Sequence, residues 1–256
     1  MTNIVEALRW LLTAEAWAGS GGLWVRSLEH LGYTLIALGI SAVLALPLGL
    51  LIGHTGRGRG VAVVATGAAR ALPTLGLLTL VALFTGIGLT APMVALVILA
   101  APSVLAGAYA GVESVNPATV DAARAQGMNG WQVLTRVEIP LGLPLILSGL
   151  RLAALQVIAT ATLAAYVGAG GLGRPLFLGL RTYDYPMMLG TSIVVILLAI
   201  LADAAFGTGQ RLLRRIPGLA GPQRAPGRGS SRAAREGSPR ASRTASDASH
   251  PVTTAR

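Results

Sequence analysis

The residues of this chain that could do chemistry are few: ten acids, twenty basic residues that are all arginine, three histidines and no cysteine in 256 residues. The absence of cysteine excludes disulfide frameworks, zinc–thiolate sites and thiol chemistry. His30, His54 and His250 are scattered, so the sequence writes no metal cluster and no nucleophile–base constellation, and no enzymatic activity is expected. Four charged residues do fall close together. Asp121, Arg124, Arg136 and Glu138 lie inside residues 116–140, NPATVDAARAQGMNGWQVLTRVEIP. A polar stretch of this length set between long apolar runs must lie in water, at a surface where another molecule can touch it.

The stretch predicts two short helices with a bend between them. Asn116 can cap a helix that opens on Pro117, the helix runs over about 120–126 with Ala122 and Ala123 as its small-residue face, and Gly127 stops it. A second helix is predicted from about Trp131 to Glu138, ending before Pro140. Read from these signals alone, the stretch is either an ordinary helical turn between two spans or a docking site.

The elements that flank it are apolar. Hydrophobic residues make up 53% of the chain and charged ones only 12%, against about a quarter in soluble domains, which predicts an all-α polytopic membrane protein. Spans are expected at about 31–53, 61–84, 93–111, 143–166 and 187–206, each long enough to cross about 30 Å of hydrocarbon. Pro47 is expected to kink the first. The second is interrupted by Arg70 and Pro73, and a helix broken at depth is tolerated only where neighbours or a water-filled cavity satisfy the freed backbone. Arg70, Pro73 and Thr74 are therefore candidate pathway-lining residues, with a snorkelling Arg70 as the alternative. Arg151 is expected to reach the headgroups from the start of the fourth span, and Asp203 lies near the end of the fifth.

Residues 1–22 read as a short interfacial, extracytoplasmic segment, followed by a permease domain over 23–216. The glycine-rich connection from Val167 to Pro186 has neither phosphate-loop order nor a lysine to complete one, and is expected as a loop. Residues 217–256 are rich in Arg, Ser, Ala, Gly and Pro and are expected to be a disordered basic tail. Much of the net charge of +10 sits there, so it does not indicate a nucleic-acid partner. With five spans, Arg57 and Arg59, residues 116–140 and the tail share one side, which the excess of arginine marks as cytoplasmic, leaving the N-terminus outside.

The pattern D-A-A-x-x-x-G at 121–127, followed by Ile139, Pro140 and Leu141, resembles the E-A-A-x-x-x-G…I-x-L-P signature of ABC importer permeases, with Asp in place of Glu and Ile-Pro in place of Leu-Pro. The resemblance runs from about residue 31 to residue 215. It implies a five-span, type I, methionine-permease-like transmembrane domain without a cofactor. It also implies an ATPase-coupling loop at 116–140 that includes Asp121, Ala122, Ala123, Gly127, Trp131, Glu138 and Pro140. The expected partners are cytoplasmic ATP-binding subunits, an extracytoplasmic substrate-binding protein and a second permease, identical or a sister chain, in the inner membrane. The segments ALPTLGLL, GVESVNPATVDAARAQGM and YVGAGGLG most resemble osmoprotectant permeases for glycine betaine, carnitine and choline, although Arg174 stands where that group has an acid. A methionine-type amino-acid permease is the alternative within the class. A self-contained secondary transporter is a rival outside it, opposed by the scarcity of intramembrane acids and the absence of an internal repeat.

Overall fold

The computed structural model describes residues 2–215, so the predicted tail at 217–256 lies outside the described residues. The described chain is helical. The first helices are α1 (Thr2–Leu11), α2 (Ala14–Trp17), α3 (Leu23–Thr55), α4 (Arg59–Arg70), α5 (Thr74–Thr85) and α6 (Thr90–Glu113). The rest are α7 (Pro117–Ala125), α8 (Gly130–Val133), α9 (Ile139–Thr160), α10 (Gly173–Thr182) and α11 (Tyr185–Arg214). A π turn (Leu134–Glu138) precedes α9 and a 3-10 turn (Ala161–Val167) follows it.

Among the described residues, four helical runs are long and apolar enough to cross a membrane: Leu23–Thr55, Thr90–Glu113, Gly130–Val167 and Tyr185–Leu213. A fifth crossing requires α4 and α5 to act together across a 91° bend. Pro73 makes that break, since it has no N–H for a helical bond and keeps Leu72 out of the helical region. Pro47, by contrast, is contained within the continuous helix α3.

The centre of the bundle is α6, which packs against α3 on one side and α9 on the other. Lipid is as apolar as leucine, so helices gain little by burying large apolar side chains against each other and associate instead through close backbone approach at small residues. Here a Cβ on Gly107 would lie 2.6 Å from the Cα of Gly149, and one on Gly142 would lie 2.5 Å from the carbonyl oxygen of Gly111. On the adjoining face of α6, a Cβ on Gly49 would lie 2.6 Å from the Cβ of Ala108. The large side chains of α3, including Leu35, Val43 and Leu48, remain exposed, as suits a face toward acyl chains.

Three polar contacts fix the register of this stack. Ser41 Oγ is 3.1 Å from the carbonyl oxygen of Val97, Ser103 donates to Gln156 Oε1 at 3.2 Å, and a ring nitrogen of His30 lies 2.9 Å from the carbonyl oxygen of Ile158. His30 is wholly buried, packed between α3 and α9 beside Gly171 of the glycine-rich connection. Gly107→Val should force α6 and α9 apart. The expected loss is roughly 1–3 kcal/mol, typical of overpacking, read as a lower melting temperature of the detergent-extracted protein. Gly39→Val, where a Cβ meets nothing within 4 Å, serves as its control.

Two sequence expectations fail here. The glycine-rich connection is not simply a loop, because α10 forms within it and packs against α11, with a Cβ on Gly179 falling 2.8 Å from Met188 Cγ. Asp184 then caps α11 by accepting from the Met187 N–H at 3.0 Å. The second failure is at Pro140, treated below.

Candidate functional site

Residues 116–140 project from the end of the bundle where α6 stops and α9 begins. The local geometry of α7 follows from its sequence. Asn116 Oδ1 accepts from the Ala118 N–H at 3.0 Å, and Pro117 occupies the first turn, where its missing N–H removes nothing. At the other end Gly127 has φ +85, its N–H donates to the Arg124 carbonyl at 2.9 Å, and the Met128 N–H donates to the Ala123 carbonyl at 3.2 Å. These two bonds define a Schellman stop, which requires a left-handed residue at the position of Gly127.

Helix α8 opens with a reciprocal capping box that the sequence reading missed. Asn129 Oδ1 accepts from the Gln132 N–H and Gln132 Oε1 accepts from the Asn129 N–H, both at 2.9 Å. The signal was available, an Asn followed three residues later by Gln.

The expectation that the second helix ends before Pro140 is wrong. The helix continues through the π turn into α9 as one run, Gly130–Val167. The Ile139 N–H bonds back to the Leu134 carbonyl, five residues away, and this widened turn relieves the clash that a proline ring makes with the preceding carbonyls. The loop therefore joins its span without a hinge at Pro140.

Burial divides the predicted site residues. Asp121, Ala122, Gly127 and Trp131 are exposed, with Trp131 at 72%, and together they present the outer surface of the loop. Ala123 faces inward, and Pro140 is half-buried in α9. Glu138 does not belong to the outer surface. It is buried, and its Oε2 lies 2.5 Å from His54 Nδ1 at the end of α3. A second pair, Arg59 with Glu113, links the start of α4 to the end of α6. Glu138 and Glu113 thus tie the loop and the end of α6 to His54 and Arg59 of the short 54–59 segment. No sequence signal could have paired His54 with Glu138 across 84 positions. Of the candidate pathway residues, Pro73 is exposed at the α4–α5 break and Thr74 opens α5, half-exposed; the side chain of Arg70 lies outside the described residues.

At the opposite end of the bundle the glycine-rich segment is held by charge. Glu29 Oε2 accepts from the Gly171 N–H and from Arg26, both at 2.8 Å, while Arg174 donates to the carbonyl oxygens of Ala169 and Gly168. Arg174, unexpected on sequence grounds, acts here as a clip for the backbone.

Apolar helices packed through glycines, with a polar capped loop at one end, make a polytopic membrane protein. The comparisons specify which. The family described as binding-protein-dependent transport system inner membrane component matches residues 45–215, and the chain belongs to it. A glycine betaine/carnitine/choline transport system permease protein of Bacillus subtilis is 32% identical, over 75% of this chain and 88% of its own length. A carnitine transport permease protein of Listeria monocytogenes is 35% identical, over 72% of this chain and 85% of its own. Among solved structures, the inward-facing MetNI methionine ABC transporter aligns with TM-score 0.67 and 25% identity, covering 75% of this chain and 97% of that one. The fold is that of a type I ABC importer permease. Membership makes the chain a multi-pass inner-membrane component and implies ATPase and binding-protein partners.

Proposed function

We propose that this permease carries quaternary ammonium osmoprotectants of the glycine betaine, carnitine and choline class. The observation that carries the reading is the 32% identity to the Bacillus subtilis permease over three quarters of the chain. An osmoprotectant import permease protein of Salmonella typhimurium, 32% identical over 72% of this chain, supports it independently. The methionine alternative rests on the fold, which permeases for different solutes share.

In this reading α7 and α8 dock into the cytoplasmic ATP-binding subunit through Asp121, Ala122, Gly127 and Trp131. Pro140 carries the motion through the uninterrupted helix into α9. The tethers at His54–Glu138 and Arg59–Glu113 pass it to α3 and α4, so that ATPase closure tips the spans as rigid bodies between two states. Two permease chains, identical or sister, surround the path, and Arg70, Pro73 and Thr74 at the α4–α5 break line it. The docking loop and the tail lie in the cytoplasm and α1 lies outside, as the distribution of arginine implies. Substrate selection is assigned chiefly to the extracytoplasmic binding protein.

The test is uptake by proteoliposomes holding the permease, its ATPase and its binding protein. ATP-dependent accumulation of radiolabelled glycine betaine or choline is expected. Methionine uptake without either would overturn the assignment of solute.

A further inference from the structure

Arg151, expected from the sequence to reach toward the headgroups, is engaged within the protomer. Arg151 on α9 makes a bidentate pair with Asp203 on α11, Nε to Oδ1 at 2.5 Å and Nη2 to Oδ2 at 2.6 Å. The pair sits inside the two apolar helical runs, Gly130–Val167 and Tyr185–Leu213, with Asp203 eight residues, about 12 Å, before Arg211, where the basic end of α11 begins. It is nevertheless partly open, with the two side chains 35% and 39% exposed on the protomer surface. Ion pairs at such depth face water or protein, not acyl chains.

The surroundings are polar. Gln210 Nε2 donates to Ser148 Oγ at 3.2 Å, extending a polar seam between α9 and α11. Gly207, one turn from Asp203, sets no side chain against the guanidinium, where a Cβ would stand in contact at 4.0 Å from Arg151 Nη1. That nitrogen makes no hydrogen bond among the described residues, because Nε and Nη2 carry the pair.

We propose that the Arg151–Asp203 pair is a transit site for zwitterionic solutes in the translocation path. A solute carboxylate first meets the free Nη1 and then replaces Asp203 on the guanidinium fork, while its cationic end takes the released Asp203 carboxylate. The exchange gives up the bidentate Arg151–Asp203 pair and makes one contact at each end of the solute, so the broken pair and the lost hydration of the solute offset most of the gain. The net binding is therefore weak, as a site that must release its cargo requires. In the empty path the two side chains neutralise each other, which avoids an isolated charge at depth. A guanidinium offers two parallel donors that match a carboxylate, which a single ammonium does not.

The proposal rests on the osmoprotectant reading for its choice of solutes, and the experiment separates the two. The complete complex with its binding protein is reconstituted in proteoliposomes, and initial uptake rates are measured at saturating glycine betaine, which has a carboxylate, and at saturating choline, which lacks one. Arg151→Gln should lower glycine betaine uptake by about ten- to a hundredfold, the range for losing a charge-assisted hydrogen bond, and choline uptake by less than about threefold. Asp203→Asn should lower both.

The charge swap Arg151→Asp with Asp203→Arg retains an ion pair and is expected to assemble normally without recovering wild-type glycine betaine uptake. Equal losses of both solutes in Arg151→Gln, or full recovery in the swap, would make the pair a structural staple between α9 and α11 and overturn the proposal. If the wild-type complex accumulates neither osmolyte, the solute assignment fails instead. The same variants are then compared on the amino acid the complex does accept and on its carboxamide, with the same two overturning outcomes.

Discussion

Gly127→Leu is expected to insert and fold yet lose most transport, together with much of its hold on the ATPase. The physical reason is local. Gly127 occupies the left-handed region at φ +85, where a side chain with a β-carbon costs roughly 1 kcal/mol or more, and it closes the Schellman turn that ends α7. No atom lies within 4 Å of a Cβ built there, so the substitution disturbs no packing inside the protomer. The leucine side chain would stand on the exposed surface beside Asp121 and Trp131, where the partner is proposed to sit. Gly127→Asn, which tolerates the left-handed region, should retain more function than Gly127→Leu. Ala125→Ser, exposed and small, should be mild. Co-purification of the ATPase with each variant, alongside vesicle uptake, checks the set. Normal ATPase recovery and uptake in Gly127→Leu would remove the docking assignment.

His54→Ala is expected to separate ATP hydrolysis from uptake. It leaves the Glu138 carboxylate, 5% exposed, without its partner at the root of the docking loop. Leaving a buried polar group without its hydrogen-bond partner costs on the order of 1–3 kcal/mol, and the position of this one at the edge of the bundle, with His54 17% exposed, brings the figure down. The expected result is a loosened joint between α3 and the loop, with ATP hydrolysis retained and uptake per ATP reduced about tenfold or more. The double substitution His54→Leu with Glu138→Leu replaces both polar partners by apolar ones and should regain thermal stability without regaining coupling. Uptake per ATP that stays at the wild-type value in His54→Ala would show that the tether does not transmit the stroke.

Much of this molecule was legible as a string. Apolar runs bounded by Gly, Pro and Arg located the spanning helices, because in hydrocarbon each backbone must satisfy itself and the signal is therefore local. Asn116, Pro117 and Gly127 announced the bounds of α7 for the same reason: a cap and a Schellman stop are built from residues a few positions apart. The break at Pro73 was equally local.

What the sequence misjudged or left silent depends on residues that are distant in the chain. Pro140 reads as a helix stop, and only the π turn before it, set within a helix held by α6, lets the loop run into its span. Gly107, Gly111, Gly142 and Gly149 are ordinary glycines until α6 and α9 cross and their missing side chains become the contact. His54 met Glu138, and Arg151 met Asp203, across 84 and 52 positions. No spacing rule connects such residues. A charge inside a membrane must find its partner on whichever helix packing brings alongside, and that choice belongs to the tertiary structure.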